Sequence, residues 1–172
     1  MFDRYAITPL ILCAYQGDVN ILRYLIKNGA NVNLTDRMNL SALDHACQRL
    51  NLEPIRELIM CGCKCSSSTP FGLHSPLKTL ITNKEYVLAR MLIESGINLK
   101  HEKWLINELK SEVNANNSFY KWLENHMKTP QTLLSLSRVK IRELLVSNNL
   151  EIRVNSLKIP NILKDYLLMK YY

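Results

Sequence analysis

Thr8-Pro9-Leu10-Ile11-Leu12-Cys13-Ala14-Tyr15-Gln16-Gly17-Asp18-Val19, continuing to Leu25-Ile26-Lys27-Asn28-Gly29-Ala30-Asn31-Val32-Asn33, decides the fold. Thr8 is an N-cap residue, and Pro9 takes the first helical position, where its missing N–H costs nothing. Leu10, Cys13 and Ala14 give this first helix a face of small and medium side chains, suited to close stacking. Ile21, Leu22, Leu25 and Ile26 give the second helix its buried stripe. Gly29 supplies the left-handed residue after its last turn. Asn33 to Asp36 begins a turn toward the next unit.

The unit recurs. Thirty-three residues on, Ser41-Ala42-Leu43 leads to Leu58, Ile59, Gly62 and Cys63. A third copy, one residue late, runs from Ser75-Pro76-Leu77 to Leu92, Ile93, Gly96, Ile97 and Leu99. This period, with Thr-Pro-Leu opening one helix and Gly ending the next, resembles the ankyrin repeat. Three repeats are expected over residues 1–99, about the minimum for a stable array. Asn39 stands where that family usually has Gly, and Asn tolerates positive φ best among the alternatives. Pro54 falls near the start of the second repeat's outer helix, where it does little harm. No polar cap precedes the first repeat, so its outer face is expected to be a contact surface, or the array to be shortened from a longer one. Ser66 to Gly72 reads as a turn-rich loop with Phe71 at its tip.

Trp104, Leu105, Leu109 and Val113, a break at Asn114 to Asn117, then Phe119, Trp122, Leu123 and Met127 read as two further helices. They are expected to form a degenerate fourth repeat over residues 100–128 that joins the array to the tail, with both Trp residues as packing at the joint.

The tail, residues 129–172, opens Thr129-Pro130-Gln131-Thr132-Leu133-Leu134-Ser135-Leu136-Ser137-Arg138. Thr129 and Pro130 read as a helix start. Leu133, Leu136, Ile141, Leu144 and Leu145 recur at helical spacing, with Arg138, Lys140, Arg142 and Glu143 mostly between them. Leu133, Ser137 and Ile141 lie four apart and form one ridge. Ser147 to Asn149 is a break, and a short helix from Pro160 is expected to carry Ile162, Leu163, Tyr166 and Leu167 inward. So short a segment cannot bury much apolar surface alone, so it must dock on the repeats, on a partner, or on both.

The tail resembles a SOCS box, in the form found behind ankyrin repeats. Leu133, Ser137 and Ile141 match the Elongin-binding signature, with Ser137 in place of the usual Cys. A hydroxyl costs roughly 1 kcal/mol or more to bury unpaired, offset if it bonds back to the Leu133 carbonyl. Leu157, Lys158, Ile159 and Pro160 match the cullin-selecting motif, with Lys158 in place of its first Pro.

Composition fits a folded chain: 47% hydrophobic residues in 172, with no apolar run near the ~20 residues of a membrane span. Met1-Phe2-Asp3-Arg4 opens no secretory signal, so a cytosolic or nuclear protein is expected. The net charge of +7 is spread, with 15 basic and 12 acidic residues up to Lys128 and 7 against 3 beyond. No basic run or aromatic ladder accompanies it, which argues for solvated helix faces over nucleic-acid binding.

Cys61, Cys63 and Cys65 alternate, with His74 nearby, but structural zinc wants a second such pair. Repeat register accounts for them instead: Cys63 and Cys65 replace the inward Ala30 and Val32, and Cys13 and Cys47 occupy small-residue slots. Asp44, His45 and Cys47 make no nucleophile, because residues two apart on a helix point away from each other. His101-Glu102 lacks the second His of a zinc-protease helix, with Leu105 in its place. No metal, cofactor or catalytic residue is expected.

The resemblance implies an all-α ankyrin solenoid with a C-terminal SOCS box, and a non-catalytic substrate receptor of a cullin–RING ubiquitin ligase. By that resemblance Leu133, Leu136, Ser137 and Ile141 would bind Elongin C (with Elongin B). Leu157, Ile159 and Pro160 would face a cullin, Cullin-5 first. Repeat register points to Arg4, Tyr5, Arg37, Met38 and Phe71 for the unknown target protein. The alternative is a plain ankyrin scaffold whose tail only caps the stack.

Overall fold

The computed structural model describes residues 6–64, 75–97, 99, 102, 104–109, 117–129, 132–145 and 150–171. Among these, regular structure is helical apart from one bridge between Thr35 and Ser41. Three helix pairs come first: α1 (Pro9–Gln16) with α2 (Val19–Lys27), α3 (Ala42–Arg49) with α4 (Leu52–Met60), and α5 (Pro76–Thr82) with α6 (Tyr86–Glu94). Each inner helix starts on a hydroxyl cap. Thr8 Oγ1 accepts from the Ile11 N–H at 3.2 Å, Ser41 and Asp44 close a reciprocal capping box, and Ser75 accepts from the Lys78 N–H. Gly29, Gly62 and Gly96 follow the outer helices at positive φ. Asn39 does the same in the finger, at φ 60. At the turn inside each pair, Gly17 is followed in register by Leu50 and Lys84, both left-handed. That choice costs each of them roughly 1–2 kcal/mol.

The pairs stack into two layers, α1–α3–α5 and α2–α4–α6. Leu10, Ala14, Leu22, Leu43, Ala46, Leu58, Leu77, Leu80 and Leu92 fill the space between them and are buried. Asn51 ties neighbouring pairs by donating its amide to the Ala14 and Tyr15 carbonyls at 2.9 Å each, capping the end of α1. Ile21, expected in the buried stripe, is 49% exposed. Its counterparts in register, Pro54 and Leu88, are buried.

The thiols of Cys13, Cys47 and Cys63 lie in the core, and Cys63 donates to the Val32 carbonyl at 3.3 Å. Burial pushes the Cys63 thiol up to about 12, so it is a neutral, small apolar filler. Cys65, His74 and His101 lie outside the described residues.

Beyond the pairs, α7 (Trp104–Leu109) and α8 (Ser118–Lys128) add Leu105, Phe119, Tyr120 and Leu123 to the same core. Tyr86 and Phe119 stack at 4.8 Å. Trp104 and Trp122 are half-buried against this core, with the Arg90 guanidinium 4.7 Å above Trp122. Met127 is exposed. The expected Val113 lies outside the described residues.

The tail forms three helices, α9 (Leu133–Leu145), α10 (Leu150–Ser156) and α11 (Asn161–Leu167). Thr129, expected to open α9, ends α8 instead: its N–H and its hydroxyl both donate to the Asn125 carbonyl. Leu150, Val154, Leu167 and Leu168 form a second small core, flanked by Ile141, Leu145, Leu157 and Ile159. Ile162 and Leu163, expected inward on α11, are exposed, at 68% for Ile162, whereas Leu167 is buried and Tyr166 half-buried. Met169 leaves α11 at φ 57 and enters the main core of the repeats. No helix of the described residues is long and apolar enough to cross a membrane.

Candidate functional site

Helix α9 starts when the Thr132 hydroxyl accepts from the Ser135 N–H at 3.2 Å. Its thirteen residues then present two unlike faces. The face toward the repeats carries Arg138 and Arg142, charged residues that spacing puts only between the apolar positions. Both are buried, at 4% and 3% exposure.

Arg142 donates to the Ile59 carbonyl at 2.5 Å, to the Met60 carbonyl at 3.4 Å and to the Leu167 carbonyl at 2.6 Å. Arg138 donates to the Glu94 carbonyl at 2.9 Å and to the Glu94 carboxylate at 3.1 Å, and lies 4.7 Å above the Tyr166 ring. Those carbonyls end α4, α6 and α11. They carry the negative end of each helix dipole and have room for a further donor, the Ile59 carbonyl already accepting from the Gly62 N–H at 3.1 Å, so a cation fits them. Between the two arginines Val139 meets Gly96, where a Cβ would sit 2.6 Å from Val139 Cγ1. The tail thus docks across the ends of the outer helices, not only through the α7–α8 pair expected to be the joint.

With that face committed to the repeats, the opposite one is open. Residues 133, 136, 137, 140 and 144 share it. Leu133 is 85% exposed, and Leu136, Ser137, Lys140 and Leu144 are exposed beside it. Lys140 pairs with Glu143 at 3.2 Å. The Ser137 hydroxyl donates to the Leu134 carbonyl at 3.0 Å, one residue on from the expected acceptor. Ile141 is at the edge, half-buried on the tail's own small core. The structure therefore brings Leu133, Leu136 and Ser137 onto one exposed surface and turns Ile141 partly away.

In the second half of the tail, Leu157 and Ile159 are half-buried on the same small core, while Lys158 and Pro160 are exposed. Ile152 and Ile162 are exposed apolar residues nearby. Of the residues expected to meet a target, Arg37 and Met38 are exposed at a finger tip. Asp36 holds that finger by accepting from the Met38 and Leu40 N–H groups at 2.8 and 2.9 Å and pairing with His45 at 2.9 Å. Arg4, Tyr5 and Phe71 lie outside the described residues.

Sequence reasoning missed α10, although Leu150 and Val154 stand four apart with Leu157 beyond them. Helical spacing puts Leu144 on α9 without marking it as part of the open face. The burial of Arg138 and Arg142 left no local signal, because their acceptors come from three distant helix ends.

Family models match two parts of the chain: ankyrin repeats, described as three copies, over residues 3–69, and a SOCS box over residues 129–168. The first match ends before α5, whose pair with α6 repeats the same capped geometry. No individual curated protein matches the chain. The SOCS box is the module of substrate receptors in Elongin B/C–cullin ubiquitin ligases, and it and the repeats are non-catalytic protein-binding modules. With repeats stacked ahead of a SOCS box that is clamped to their ends, the chain belongs to the ankyrin repeat and SOCS box family.

Proposed function

We propose that the open face of α9 binds Elongin C, with Elongin B, and that the repeats hold a protein to be ubiquitinated. The observation that carries this reading is Leu133, a large aliphatic side chain 85% exposed on a helix whose other face is fastened to the repeats. Burying one Leu contributes roughly 1.5–3 kcal/mol, and a central anchor of that kind dominates an interface. Leu136 and Ser137 flank it, Ile141 closes one edge, and Leu144 extends the strip by two turns. Pro160, with Leu157 and Ile159 behind it, offers the surface for a cullin, Cullin-5 first. Repeats over residues 1–99, a linking pair over 100–128 and the SOCS box over 129–172 are the working units. Such a receptor works in the cytosol or nucleus and does no covalent chemistry. It raises the local concentration of target lysines near a charged E2.

Coexpression with Elongin B and Elongin C tests this. A complex is expected to survive purification and to be lost on Leu133→Asp, with the thermal transition of the isolated chain unchanged. Equal copurification of variant and parent, or of neither, would leave a plain ankyrin scaffold as the reading. Adding Cullin-5 and Cullin-2 in parallel reads out the effect of Lys158.

A further inference from the structure

The two layers of the repeats differ in charge. On the outer layer acids and bases meet: Arg23 with Glu57 at 2.5 Å, and Arg90 with Glu94 at 3.0 Å. The inner layer has no such balance. Among the described residues of α1, α3, α5 and the finger 33–41, the carboxylates are Asp36 and Asp44, and both are buried. Asp36 is engaged by two backbone N–H groups and His45, and Asp44 by Ser41. Arg37 on the finger, Arg49 on α3 and Lys78 on α5 are exposed.

Apolar side chains lie between them. Leu12, Tyr15 and Met38 are exposed, Met38 at 70%. Contacts connect Tyr15 to the finger that carries Met38. The Arg49 guanidinium lies 4.9 Å above the Tyr15 ring, Tyr15 meets the His45 ring edge-on at 6.2 Å, and His45 holds the finger through Asp36.

We propose that this inner face takes an acidic segment of the target protein, seated by an aliphatic or aromatic side chain between the two arginines. The inference rests on the reading of the repeats as the target-holding part and adds the chemistry of what they hold. Exposed cations on these elements with no exposed anion among the same elements reject basic segments and speed encounter with acidic ones. Leu12, Tyr15 and Met38 supply the apolar contact that charges at a wet surface do not. Tyr15 is already stiffened by the guanidinium on its ring, so it loses little freedom on binding.

The test is selection of a random linear peptide display library on the full chain, with Leu133→Asp, Arg37→Glu and Arg37→Glu/Arg49→Glu variants in parallel. The expected pool is net negative and enriched in Leu, Ile, Phe or Tyr. It is retained by Leu133→Asp, weakened roughly tenfold by the double reversal, and weakened by raising salt from about 0.05 to 0.5 M. Arg37→Glu alone removes no ring contact, so a loss there cannot come from disturbing Tyr15. A neutral or basic pool, no enrichment, or unchanged retention by both reversal variants would overturn the proposal. Acidic peptides lost on Leu133→Asp would mark the α9 face as their site and overturn it too. None of these results bears on Elongin copurification, which stands or falls separately.

Discussion

Arg142 and Ile59 are 83 residues apart in sequence and directly bonded, with a guanidinium N–H donating to the Ile59 carbonyl at 2.5 Å. Among the described residues no carboxylate lies within ion-pair distance of Arg142; its other acceptors are carbonyls at the ends of α4 and α11. Burial, with Arg138 as a like charge nearby, pushes the guanidinium down to about 10, so it remains a cation at neutral pH. The cost of burying that charge is offset by three carbonyl acceptors at the negative ends of α4 and α11. The Arg142 contacts thereby tie the SOCS box to the repeats.

Arg142→Ala leaves the Leu167 carbonyl without its donor and the Ile59 carbonyl with only the Gly62 N–H, at 3.1 Å. An unfolding free energy lower by roughly 2–4 kcal/mol is expected in urea titration. Leu144→Ala, on the open face of the same helix, is expected to stay within about 0.5 kcal/mol. Equal losses would mean that the open face is packed in solution.

Gly96 and Val139 give a steric test of the same docking. Gly96 has φ +106 and a Cβ there would clash with Val139, whereas Gly29, at φ +88, has nothing within 4 Å. Both Gly→Ala changes carry a backbone cost of roughly 1 kcal/mol or more, and only Gly96→Ala adds overpacking of roughly 1–3 kcal/mol. In a double-mutant cycle, Val139→Ala is expected to recover the overpacking part and not the backbone part.

What could be read in the sequence was what repeats or caps locally. Thr8, Ser41 and Ser75, the glycines after each outer helix, and Asn39 all carry signals within a few residues of where they act. The Leu133–Ser137 strip was readable for the same reason, since helical spacing alone puts them together. The direction of α11 was not. Periodicity makes Ile162 and Leu167 equal candidates for burial, and the choice was made by Met169, whose left-handed turn carries the chain end into the repeat core. Spacing puts Arg138 and Arg142 only between the apolar positions of α9, because an arginine's acceptors, when they are carbonyls of remote helix ends, leave no mark beside it.

Met169 and Ile162 therefore separate under truncation. Met169→Ala empties a site 1% exposed and is expected to cost roughly 2–5 kcal/mol. Ile162→Ala is expected to cost about 0.5 kcal/mol or less. Thermal unfolding of the two variants checks the order, which is the reverse of what an inward Ile162 requires.

His126 supplies a pH dependence. It stacks on Trp122 at 5.0 Å, and its pKa is lowered from the ordinary value of 6.5, chiefly because burial disfavours the charged ring, with Arg90 and Arg138 adding to this and Glu94 opposing it. A folded pKa below the unfolded one means that the unfolded chain takes up the proton first. The contribution of His126 is thus fully present above the ordinary histidine range and is lost as pH falls through the lowered folded value. The transition temperature of the parent is expected to drop more steeply than that of His126→Gln between neutral pH and about pH 5. Taking the difference between the two chains removes the shared titration of the other histidines, so parallel curves would show that the Trp122–His126 stack accepts the charged ring without cost.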